Sequence, residues 1–141
     1  MNALDANEVV PGLYQGSRPK PGCYPMNLLL LMALEYQPQS YLFPCIDLVV
    51  RAPIDDNPAY VPPEDRKTIL SAAGYVMAAL RAGRRVLVTC NMGLNRSGVV
   101  CALVLRDGFR LPPQRAIDIV RKARGPDALS NPEFEAIVRG A

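Results

Sequence analysis

A cysteine and an arginine stand six positions apart in the stretch Thr89-Cys90-Asn91-Met92-Gly93-Leu94-Asn95-Arg96-Ser97-Gly98, just after the apolar run Val86-Leu87-Val88. That layout suits an anion cradle with a nucleophile at its base. A loop that leaves a strand and turns into a helix aims several backbone N–H groups at one point, and the helix N-terminus adds partial positive charge there. Such a loop binds a phosphoryl dianion through the amides of Asn91, Met92, Gly93, Leu94 and Asn95. The same field favours a thiolate over a thiol, so Cys90 is expected to act as a charged nucleophile. Arg96 would close the cradle with a planar fork matched to two phosphoryl oxygens, which the point charge of a lysine cannot copy.

Spacing alone is weak evidence, because Cys45-Ile46-Asp47-Leu48-Val49-Val50-Arg51 has the same interval. Context separates the two. The segment from Cys45 contains no glycine and reads as a buried strand. The segment from Cys90 follows a strand, contains Gly93 and precedes the apolar run Val99-Val100-Cys101-Ala102-Leu103-Val104-Leu105, so only it can be a loop between strand and helix.

The elements that must position this loop can be read on either side of it. Val9-Val10-Pro11-Gly12-Leu13-Tyr14-Gln15-Gly16-Ser17 predicts two short strands around a Pro-Gly turn. Residues 28–32 form a fully apolar run, expected as a central strand, and residues 35–44 carry two prolines and should be mostly loop. Residues 46–54 read as another strand. Pro62-Pro63-Glu64-Asp65 opens a helix with prolines and acids in its first turn, and Ile69, Ala72, Ala73, Val76 and Leu80 keep one apolar face until Gly83. The strand at 86–88 leads into the cradle and a helix over 98–106 leaves it. Pro112-Pro113 starts a further helix ending at Gly125-Pro126, and residues 132–138 form the last. Strands alternate with helices in the middle and helices gather at the end. The expectation is an α/β layered domain with a mixed, partly parallel central sheet flanked by helices, its site in a loop after the carboxyl end of a strand.

A chain of 141 residues is large enough for one domain with a substantial core. The longest apolar stretch, 26–34, is interrupted by Asn27 and too short to span a bilayer. The first residues have neither a basic region nor an apolar signal core, so a cytoplasmic location is expected. The four cysteines include no CxxC pair and suggest no disulfide framework; Cys23, Cys45 and Cys101 read as small buried hydrophobes. There is no histidine, which removes Ser-His-Asp and Cys-His mechanisms and histidine metal sites. A general acid must therefore be a carboxylate, lysine, tyrosine or cysteine. A net charge of +3, spread along the chain, argues against nucleic-acid binding by charge alone.

Cys90 to Arg96-Ser97, with a strand before and a helix after, resembles the signature of the cysteine-dependent protein tyrosine phosphatases, and the chain is most similar to their small dual-specificity branch. Val10 to Ser17 resembles the opening strand pair of that branch. Ala52-Pro53-Ile54-Asp55-Asp56 resembles the segment ending in its catalytic aspartate, Gly83 to Cys90 its approach to the nucleophile, and Ala116 to Phe134 its C-terminal helices. The likeness spans nearly the whole chain and is weakest over 23–43. Two departures stand out. Thr89 occupies the place of the family's usual histidine, and its hydroxyl cannot become cationic. Gly93-Leu94-Asn95-Arg96 is closer to the cradle of the branch that acts on RNA 5'-triphosphates.

The resemblance implies a phosphatase that forms a cysteinyl phosphate, with no metal or cofactor. Cys90 attacks phosphorus while the amides from Asn91 to Arg96 and the Arg96 guanidinium hold the equatorial oxygens. Asp56 protonates the leaving group and then deprotonates water, with Asp55 as the alternative, since neighbouring side chains of an extended segment point to opposite sides. Ser97 donates a hydrogen bond to the sulfur. The implied partners are phosphotyrosine and phosphoserine or phosphothreonine proteins, with oxyanions as inhibitors. The alternatives are an RNA 5'-phosphatase and a phosphate-binding pseudophosphatase.

Overall fold

In a computed structural model of the protein, which describes residues 4–140, the apolar runs assemble into a five-stranded sheet. The strands are β1 (Ala6–Val10), β2 (Leu13–Gly16), β3 (Leu28–Ala33), β4 (Leu48–Ile54) and β5 (Val86–Thr89). Their order is β1-β2-β5-β3-β4. β1 pairs antiparallel with β2 across the Pro11-Gly12 turn, while β2, β5, β3 and β4 run parallel. β3 and β5 lie inside the sheet, and every residue of both is buried, as continuous apolar runs in a parallel sheet require. The parallel strands bring their carboxyl ends to one edge. Gly16, Ala33, Ile54 and Thr89 therefore open onto the same crevice, the usual place for a site in an open α/β sheet.

The described residues also form four α-helices, one between β4 and β5 and three after β5: α1 (Pro63–Arg81), α2 (Arg96–Leu103), α3 (Pro113–Arg124) and α4 (Pro132–Arg139). α1 begins on a proline with Glu64 and Asp65 in its first turn, where acids complement the positive end of the helix. α2 is buried along its whole length and runs on into a π-helical segment, Val104–Gly108. The Ile69, Val76, Val100, Leu103, Ile117, Val120, Phe134 and Val138 side chains of these helices join Leu28, Leu30, Val86 and Val88 of the sheet in the main core. The opposite sheet face is covered differently. Leu29, Leu31 and Leu87 meet Tyr24, Met26, Phe43 and Ile46, all from irregular segments outside the strands. None of the described helices is long and apolar enough to cross a membrane.

Several sequence expectations need correction. The strand expected from Ile46 begins at Leu48, because the preceding residues belong to the irregular cover. Cys45 is exposed, as is Arg51 on the sheet-edge strand β4, so the segment from Cys45 is not a buried strand. Cys23 and Cys45 are likewise not buried thiols: they form a disulfide joining the loop after β2 to the loop after β3. Cys101 is a buried free thiol, and burial pushes its pKa up. The helix expected over 98–106 starts two residues earlier, at Arg96, and its last turn is π-helical.

Candidate active site

Cys90 is the first residue beyond β5, and its amide donates to the Gly16 carbonyl at the end of β2 (3.3 Å). The chain then turns through residues 91–95 into α2. What distinguishes this loop is where its carbonyls go. Asn91 O accepts from Arg18 N, Leu94 O from Leu129 N and Asn95 O from Val99 N. Met92 O accepts from Arg124 Nη2, and Gly93 O accepts from both Arg124 Nε (2.9 Å) and Gln15 Nε2 (3.0 Å). Each carbonyl is thus bound from outside. Among the described residues, the N–H groups of Asn91, Met92, Gly93, Leu94 and Asn95 have no acceptor in the protein. In a planar peptide N–H and C=O point in opposite directions, so pinning the carbonyls outward aims the amides inward.

Glycine is needed here for two separate reasons. Gly93 has φ +72, and a Cβ on it would lie 2.4 Å from the Gly16 carbonyl carbon and 2.5 Å from Arg124 Nη2. The loop therefore packs on the β2 backbone at a distance that excludes any side chain. Arg124, at the C-terminal end of α3, is held in turn by Asp5, whose carboxylate meets Nη1 at 2.9 Å. The hydrogen bonds from Arg124 and then Ser17 hold the Asp5 carboxyl below its ordinary pKa.

Arg96 is buried, and its fork is partly occupied. Nη1 donates to Ile54 O (3.0 Å) and to Glu35 Oε2 (3.1 Å), and Nη2 to Glu35 Oε1 (2.6 Å). Burial draws the guanidinium toward deprotonation, but the Glu35 hydrogen bond and the charges of Cys90, Glu35 and Asp56 outweigh it and raise its pKa. Glu35 responds in the opposite sense, its pKa lowered by the Arg96 hydrogen bond. Arg96 Nε is buried with no partner among the described residues. A buried unpaired N–H is costly, and an anion in the cradle would satisfy it.

The sulfur of Cys90 is 3.2 Å from Ser97 Oγ and accepts from Ser97 N at 3.4 Å. Asp56 follows β4 by two residues and lines the same depression of about 100 Å³ as Cys90, Asn91, Met92, Leu94, Asn95 and Arg96. Its two oxygens accept from different amides, Oδ1 from Asn131 Nδ2 (2.6 Å) and Oδ2 from Asn95 Nδ2 (3.1 Å). Asp55 is exposed and instead accepts from the backbone N–H of Asp56. Thr89 is buried, with its hydroxyl donated to Leu30 O on β3 (3.0 Å); it braces the sheet and does not reach into the loop.

The structure thus brings Cys90, Arg96, Ser97, Asp56 and the 91–95 loop to one place. Glu35, Gln15, Arg124 and Asn131 escaped the sequence reading. Asn131 also caps α4, its side chain accepting from Glu133 N and Phe134 N. Glu35 and Gln15 carry no local signal, since their partners lie 61 and 78 or more residues away.

No protein-family profile matches the sequence, and no curated protein matches it in sequence. Solved structures do resemble the fold. Human DUSP28 superposes with a TM-score of 0.79 over 99% of this chain and 93% of its own, at 24% identity. A mouse putative dual specificity phosphatase complexed with zinc tungstate gives 0.79 at 22% identity, over 99% of this chain and 89% of its own. Tk-PTP in its active form gives 0.78 at 19% identity, over 96% and 97%. At these identities the likeness establishes the fold: the layered α/β arrangement of the small dual-specificity phosphatases, as the resemblance of the sequence implies.

Proposed function

We propose that the protein is a phosphatase that hydrolyses phosphomonoesters through a cysteinyl-phosphate intermediate. The observation that carries this reading is the loop after Cys90, whose five carbonyls are all bound while its five amides have no acceptor among the described residues. Convergent N–H donors beside a helix N-terminus select an oxyanion, and the free Arg96 Nε adds a charged donor to the same space. The mouse structural relative carries tungstate, itself an oxyanion.

In the first step the Cys90 sulfur attacks phosphorus, the amides and Arg96 hold the equatorial oxygens, and the P–O bond to the leaving group breaks. Asp56 delivers a proton to the departing oxygen. In the second step Asp56 takes a proton from water, the water oxygen bonds to phosphorus, and the sulfur leaves as a thiolate. Each Asp56 oxygen accepts one amide, which leaves lone pairs free for this exchange. Glu35 fixes the far side of the Arg96 fork, so the guanidinium is preset before substrate arrives.

Phosphoproteins are the substrate class we favour. The depression is small, at about 100 Å³, and we take it to admit the short phosphoserine and phosphothreonine side chains as well as phosphotyrosine. Exposed Met92 offers apolar surface at its lip. Arg96 is the one basic side chain among the residues that line it, where an RNA backbone would need a basic groove. Turnover of an aryl phosphate and calorimetric tungstate binding, compared between wild type and Cys90→Ser, test the proposal. The variant should lose turnover and keep tungstate affinity; residual turnover above a few per cent of wild type would refute the covalent route.

A further inference from the structure

Gln15 is fully buried in β2, an unusual place for an amide, and it faces the cradle loop. Its Nε2 lies 3.0 Å from Gly93 O and 3.3 Å from Ser97 Oγ. A carbonyl can only accept, so the group facing Gly93 O must be the NH2 end of the amide. One of its two hydrogens is directed at Gly93 O, with Leu94 O a more distant acceptor at 3.5 Å, and the other is left for the nearer Ser97 hydroxyl. A serine hydroxyl has one proton and two lone pairs. If Oγ accepts from Gln15, its own proton is free for another acceptor, and the Cys90 sulfur is 3.2 Å away.

We infer that Gln15 is a positioning residue that turns the Ser97 hydroxyl into a dedicated hydrogen-bond donor to the Cys90 sulfur. The inference rests on the phosphatase reading and assigns a step within it. While sulfur is bonded to phosphorus it is nearly neutral and accepts weakly. In the second step the water oxygen forms a bond to phosphorus, the S–P bond breaks with its electron pair going to sulfur, and a water proton passes to Asp56. Negative charge therefore grows on sulfur as it leaves, and a fixed O–H donor stabilises that charge where it develops. In the first step the same hydrogen bond already exists to the attacking thiolate and is weakened as the S–P bond forms. Gln15 thus assists the breakdown of the intermediate and not its formation.

Pre-steady-state kinetics with p-nitrophenyl phosphate separate the two steps, since nitrophenolate leaves in the first. Gln15→Met keeps length and shape and removes the donor. The expected result is a burst of nitrophenolate close to one equivalent per enzyme, followed by a steady-state rate lowered about 10- to 100-fold, the range for loss of a hydrogen bond to a charged group. kcat and KM should fall together, leaving kcat/KM nearly unchanged, which a merely structural loss would not produce. Ser97→Ala should give the same burst, and the double variant should be no worse than either single one, since both remove one hydrogen bond. If Gln15→Met does not fold, Gln15→Asn, whose donor is drawn back by one methylene, should show the burst in its place. A burst in Ser97→Ala beside unchanged kinetics in the Gln15 variants would overturn the role of Gln15 and leave the phosphatase reading intact. Equal losses in the first turnover and the steady state would also overturn it. A wild-type enzyme that releases no nitrophenolate would refute the phosphatase reading and this inference together.

Discussion

Two adjacent carboxylates, Asp55 and Asp56, follow the strand that feeds the site, and their surroundings divide them. Asp56 lines the depression with Cys90, and amides of Asn95 and Asn131 fix both of its oxygens. The Asn95 side chain also accepts from Ser130 Oγ and Asn131 N, so one residue of the cradle loop ties the acid segment to the approach to α4. Asp55 points to solvent and caps the backbone of its neighbour. A proton donor matters most when the leaving group is a poor one. Asp56→Asn should therefore cost about 10²- to 10⁴-fold in kcat/KM on a phenyl or alkyl phosphate, with a much smaller loss on p-nitrophenyl phosphate. Asp55→Asn should leave both within a few-fold of wild type. Equal leaving-group dependence in the two variants, or the larger effect at Asp55, would reverse the assignment.

At the scale of elements, the site is a joint between β2, the β5–α2 loop and the end of α3, closed by the contact of Gly93 on Gly16. A methyl group on Gly93 meets both an unfavourable φ of +72 and backbone atoms within 2.6 Å. A strained φ alone costs on the order of 1–3 kcal/mol, and the clash must push the loop off β2. Gly93→Ala should lower the unfolding free energy by at least that amount and abolish tungstate binding, measured by urea denaturation and calorimetry. Retained tungstate affinity would mean that the loop tolerates the displacement and that its packing on β2 does not shape the cradle. The same joint explains what could be read in advance. The cradle, α1, α3 and the inner strands follow from local apolar period, prolines and glycines, which the chain displays over a few residues. The Glu35 clamp on Arg96 and the Gln15 contact with Ser97 join segments far apart in sequence, and no local pattern encodes such a pairing. The start of α2 at Arg96 was missed for a related reason: Arg96 and Ser97 look like loop residues, and their burial comes from the contacts that the cradle makes.

Across the whole molecule, the two faces of the sheet are protected by different means. One lies under helices whose internal hydrogen bonds hold them in shape. The other is covered by irregular chain carrying Tyr24, Met26, Phe43 and Ile46, which lacks that support and must be ordered at greater entropic cost. The Cys23–Cys45 bond spans 22 residues of this cover and restricts the unfolded chain in the region where native order is dearest. The sequence suggests no disulfide framework, and the Cys23–Cys45 bond corrects that expectation. Closing a loop of this length contributes about 3 kcal/mol in the chain-entropy account. The Cys23→Ser/Cys45→Ser double variant should lose about that much unfolding free energy in urea, and wild type in reductant should match it. Thiol titration of the denatured, unreduced protein should count two thiols, from Cys90 and Cys101. Neither Cys23 nor Cys45 lines the depression at Cys90, so aryl phosphate turnover well below the unfolding midpoint should persist in the double variant. Four titratable thiols, with no response of stability to reductant, would show that the loops pack without the bond and that apolar burial alone holds this face.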